Sequence, residues 1–110
     1  MRMSNSLGTE ILQTLQKMGS DLTQKHSFDF YLYLPTEPIA QAAAERVRKG
    51  QFSTEVVPGA NGNNWLCKAT IRILPEEARL DEIGGFFDRI AFELNGDFDG
   101  WESDFIKKVP

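Results

Sequence analysis

His26 and Cys67 are the only histidine and the only cysteine in this 110-residue chain, so the raw material for nucleophilic catalysis is thin. Such chemistry requires a nucleophile, a base within hydrogen-bond reach and a third group that orients the base. His26 lies in a polar connector, Ser20 to Ser27, and is expected to be solvated; Cys67 falls on the apolar side of an alternating stretch, where a thiol packs and is inert. One cysteine and one histidine make neither a disulfide nor a zinc site. Gly59-x-x-Gly62 lacks the Lys-Ser/Thr of a phosphate-binding loop and sits in a hairpin instead of at a helix start. No catalytic residue, metal ligand or cofactor is expected.

Carboxylates remain. Asp97, Asp99, Glu102 and Asp104 crowd together around Gly100, but the glycine directly follows the second acid, which is not the spacing of a calcium loop. Asp99-Gly100 reads instead as a turn or bulge that lets the last strand pass close beneath a neighbour, with Trp101 packed over the glycine. From residue 75 onward there are ten acids against four bases, whereas the first 74 residues hold eight bases and six acids. An acidic last third repels phosphate and gains nothing from counterion release, so it suits a basic protein surface better than nucleic acid. A solvated helix face is the plainer alternative. Within this region Phe92 is predicted to be exposed among Asp88, Glu93, Asp97 and Asp99, with Glu102 nearby, the pattern of an apolar anchor in a charged rim. Alternatively Phe92 covers a dimer seam or the N-terminal helix.

These side chains must be held by elements that the periodicity predicts. Ile11, Leu12, Leu15 and Met18 recur at helical spacing and Gly19 ends the pattern. Phe28, Phe30, Leu32 and Leu34 alternate with Asp29, Tyr31 and Tyr33, a half-buried strand that Pro35 stops. Thr36 caps a helix with Pro38 in its first turn and Gly50 as its stop; Ile39, Ala43 and Val47 form its inner side. Phe52 to Val57 and Trp65 to Ile73 form a hairpin around the turn-rich segment Pro58 to Asn64. Leu80, Ile83, Phe87, Ile90 and Leu94 stripe a second main helix, in which Gly84-Gly85 marks a bend or a close helix crossing. Asn95-Gly96 closes it, and Asp97 to Phe105 supplies the last strand.

Strand-helix-strand-strand-helix-strand with right-handed crossovers gives an α+β, ferredoxin-like fold: a four-stranded antiparallel sheet with two helices on one face, plus the N-terminal helix. Residues 1–24 form that helix and its connector, and 25–110 the ferredoxin-like domain. Strands one and three are central, and Phe30, Leu32, Val47, Ile71, Phe87, Ile90 and Trp101 are expected in the core. Tyr31, Tyr33, Lys68 and Arg72 are left on the open sheet face. RNA-recognition motifs stack bases on such a face, but strand three offers Lys68, Thr70 and Arg72 where aromatics would be needed, so direct nucleic-acid binding is not expected. The length suits one domain with a core that needs no disulfide or metal. No apolar run reaches membrane-span length and the N-terminus does not read as a signal peptide, so a cytoplasmic protein that does not enter the membrane is expected, as a monomer or homodimer.

Asp97-Phe98-Asp99-Gly100-Trp101-Glu102, after a helix ending in Asn-Gly, resembles the C-terminal signature of the regulator of ribonuclease activity B family, the ribonuclease E inhibitors. Met18-Gly19-Ser20-Asp21-Leu22 is similar to the family's junction after its first helix, and Phe28 to Pro35 to the first strand of its short members. The resemblance runs from about Glu10 to Phe105. It implies a ferredoxin-like domain in a cytoplasmic bacterial protein that binds a protein partner, ribonuclease E, and lowers RNA decay without catalysis of its own. A small-ligand regulatory domain of the same topology is the runner-up, and an RNA-binding module using the open face ranks below it.

Overall fold

The computed structural model describes residues 6–109. Alternation in the first strand decides the layering: from His26 to Leu34 (β1) every second side chain is buried, which requires cover on one face only. The cover comes from α2 (Glu37–Lys49) and α3 (Glu77–Glu93), and α1 (Leu7–Met18) packs against α3. β2 (Ser53–Pro58), β3 (Trp65–Ile73) and β4 (Asp97–Ser103) complete a four-stranded antiparallel sheet of order β2-β3-β1-β4. The fold is α+β and its strand order is that of a ferredoxin-like arrangement, with β1 and β3 central.

The helices start and stop where side chains satisfy their free backbone groups. Ser6 and Thr36 cap α1 and α2 by accepting from the Thr9 and Ile39 amides, and Gly19 ends α1 in the left-handed region. Gly50 follows α2, but Gln51 adopts the positive φ of 72°. Between α3 and α1 the Gly8 amide donates to Asp81 Oδ1 at 2.8 Å, and a Cβ on Gly84 would sit 3.1 Å from Leu7 Cβ. Gly84 therefore marks a close helix crossing.

Phe28, Phe30, Leu32, Cys67, Ala69 and Ile71 point from the sheet into the core and meet Ala43, Val47, Leu80, Phe87 and Ile90 from the helices; Ile11 and Leu15 of α1 join the same cluster. Phe30 and Phe87 are its centre, with ring centroids 5.3 Å apart. Two expectations fail. Trp101 is half-buried, because β4 is an edge strand and its indole N–H reaches out to Glu10 Oε2 of α1, 2.6 Å away. His26 is fully buried: β1 begins at His26, two residues before the alternating aromatics, and the ring turns into the core. No helix among the described residues is long and apolar enough to cross a membrane.

Candidate functional site

The face of the sheet that carries no helices presents Asp29, Tyr31 and Tyr33 from β1, flanked by Leu66, Lys68, Thr70 and Arg72 from β3 and by the outward residues of β4. β4 gets its outward set from a bulge. Phe30 pairs with Trp101 but Leu32 pairs with Phe98, so the single residue Tyr31 faces both Asp99 and Gly100. Gly100 has φ 110°, which an L side chain rarely adopts. The extra residue keeps both Phe98 and Trp101 on the inner side while Asp97 and Glu102 face outward beside Tyr33 and Asp29. A Cβ added to Gly96 would sit 2.5 Å from the Tyr33 carbonyl oxygen, so the glycine between α3 and β4 sets how closely β4 begins against β1.

Most of the outward polar groups have partners within the chain. The Tyr31 hydroxyl donates to the Glu102 carboxylate, and this bond, aided by the nearby negative charge, pushes the phenol up to about 12. Thr70 Oγ1 donates to Asp29 Oδ1 at 2.6 Å, and the Ser27 amide donates to Asp104 Oδ1 at 2.9 Å. Lys68 lies 3.9 Å from Glu55, and the other ion pair among the described residues is Arg46–Glu93 at 2.7 Å. Asp97 and Asp99 form no ion pair among the described residues.

Those two acids line an open cleft of about 470 Å³ between the β2–β3 loop and the start of β4, together with Tyr33, Ala60, Asn61, Asn64 and Phe98. The amide oxygen of Asn64 is buried without a hydrogen-bond partner and lies against Gly59, where a Cβ would be 1.8 Å away. The cleft is polar and open, suited to the end of a long cationic side chain more than to an apolar molecule.

The six residues expected to form one binding surface are split. Asp97, Asp99 and Glu102 lie with Tyr31 and Tyr33 on the β4 side of the open sheet face. Asp88 and Phe92 lie on the solvent side of α3, across the domain, because Phe87, Ile90 and Ala91 turn the opposite side of that helix to the core. Phe92 is 85% exposed. Glu93 is tied to α2 through Arg46. Lys68 and Arg72 occupy the β3 side of the open face. Asn61 and Asn64 were not singled out by sequence, since a loop rich in turn formers does not reveal which strand end it overhangs.

Cys67 is buried, and burial pushes its thiol up to about 11, away from the reactive thiolate. His26 Nδ1 donates to the Gln24 carbonyl at 2.9 Å and Nε2 meets Ser20 Oγ at 2.6 Å, while the same Ser20 oxygen accepts from the Ile106 amide at 2.9 Å. The imidazole is a fastener between the connector and the segment after β4. No group of three or more His, Cys, Asp or Glu is placed to hold a metal ion among the described residues.

Residues 7–103 match the family model described as Regulator of ribonuclease activity B. No curated protein matches the chain.

Proposed function

The chain belongs to the regulator of ribonuclease activity B family, and from that membership we propose that it is a non-catalytic regulator that lowers ribonuclease E activity by binding the enzyme through the outward, acidic side of β4. The observation that carries this reading is the cleft that Asp97 and Asp99 line with no ion-pair partner among the described residues. An arginine or lysine from a partner supplies the missing charge and donors there. Tyr33 gives the head group an aromatic neighbour, and Asn61 and Asn64 of the β2–β3 loop border the same cleft. Charge-assisted hydrogen bonds to a carboxylate pair reward a donor-rich group more than a neutral one.

The charge around Tyr31 also favours protein over RNA. Tyr31 is held by Glu102 and flanked by Asp29, so the aromatic that a base would stack on lies in a negative field. Catalysis by the protein itself has no place in the proposal: the buried thiol is raised, and the one imidazole is enclosed by Ser20 and Gln24.

The test is a ribonuclease E cleavage assay with the purified protein in molar excess. The expected result is saturable inhibition that falls as salt rises and is lost in D97K/D99K, with F92A retaining it. Full ribonuclease activity at saturating wild-type protein would remove this reading.

A further inference from the structure

Two adjacent glycines stand in the middle of α3, and the fold of a single chain uses one of them. Gly84 admits Leu7 of α1, whereas Gly85 is exposed with nothing within 4 Å of where its Cβ would lie. A mid-helix glycine facing water weakens a helix and packs nothing. Gly85 lies in a shallow groove of about 360 Å³ lined also by Glu82, Phe86 and Arg89. On the same outer face are Ala78 and the 85%-exposed Phe92, at the alternating four- and three-residue spacings that keep Ala78, Glu82, Gly85, Arg89 and Phe92 in one stripe. Neither Glu82 nor Arg89 forms an ion pair among the described residues.

The stripe is complementary to its own reverse. Glu82 and Arg89 lie equally far on either side of the Gly85–Phe86 peptide, so a second α3 laid antiparallel across this point sets each Glu82 against Arg89 of the other copy. The paired Gly85 positions let the two backbones approach at the crossing, and Phe92 of each copy extends over Ala78 and the aliphatic stem of Arg79 of the other. A parallel arrangement would set Glu82 on Glu82 and Arg89 on Arg89, which charge repulsion opposes. We propose that the outer face of α3 is an isologous interface, occupied by a second copy of this chain in antiparallel orientation. A helix of 17 residues is about 25 Å long, so the contact belongs to the small, weak class of interfaces and a dissociation constant on the order of micromolar is expected. The interface lies on the opposite side of the domain from the cleft, and it stands whether or not ribonuclease E is the partner.

Sedimentation velocity on the full chain, alone, from about 1 to about 500 µM tests it. Wild type should show a monomer–dimer equilibrium. E82R and R89E should each weaken the dimer by about tenfold or more, and E82R/R89E, in which the pair is exchanged, should restore it to within about threefold. Both positions are exposed, and unchanged thermal midpoints of the dilute monomers confirm that the variants fold. A wild type that stays monomeric overturns the proposal. So do single variants that dimerise as well as wild type, or a double variant no better than the singles.

Discussion

A buried imidazole needs partners for both ring nitrogens, and His26 finds them in Ser20 and in the Gln24 carbonyl. His26→Ala removes both bonds and leaves a hole in the core, so a loss of about 2–3 kcal/mol by urea denaturation is expected; a loss below about 0.5 kcal/mol would contradict the fastener role. The polar sequence around His26 hid this. Ser20 and His26 are six residues apart in a stretch without apolar periodicity, and only the start of β1 turns the ring inward. Tyr31 gives a second test. Its phenol is raised in the folded chain, so the neutral form is the one the fold favours. The stabilisation is therefore fully present below the unfolded value near 10 and is lost as pH rises toward about 12. Absorbance titration should show one tyrosine ionising near 12, and that late step should vanish in Y31F and move to lower pH in E102Q. A wild type without the late step would show that the Glu102 bond does not persist in solution.

Elements were legible in proportion to how strongly one face is buried. β1 and β3 alternate cleanly because the helices cover a single side, and the cores of α2 and α3 follow their apolar stripes. The bulge was legible through Asp99-Gly100, although Gly100 is required there by its positive φ and not by a close neighbour. What periodicity does not carry is edge position: Trp101 has the residue type of a core group, yet it sits where one flank of the strand has no neighbour. Phe87→Ala should cost about 3–5 kcal/mol, since its ring contacts Phe30, Phe52 and Phe98 in a fully buried site. An unchanged thermal midpoint would refute that packing. The two glycines of α3 should separate by substitution. G85A gains helix propensity in open space, so the dilute monomer should be stabilised by about 0.5–1 kcal/mol; G84A must press on Leu7 and should gain less or lose. Equal gains at both positions would mean that α1 does not pack closely at Gly84.

Composition marks the last third as acidic, but linear order cannot tell the two sides of a sheet apart. Asp88, Phe92 and Glu93 precede Asp97, Asp99 and Glu102 by a few residues, yet the reversal at Asn95-Gly96 sends the first group to the helix layer and the second to the open face. The molecule consequently offers two separate surfaces. One is a self-complementary helix stripe, and the other is an acidic cleft poor in cations. Whether the cleft side receives the protein partner is read from backbone amide shifts of the labelled protein titrated with ribonuclease E. Changes concentrated at Tyr33, Asn61, Asn64 and Asp97 to Gly100, abolished in D97K/D99K, are expected. Changes confined to α3 around Gly85 and Phe92, or none at saturating enzyme, would rule the cleft out as the contact.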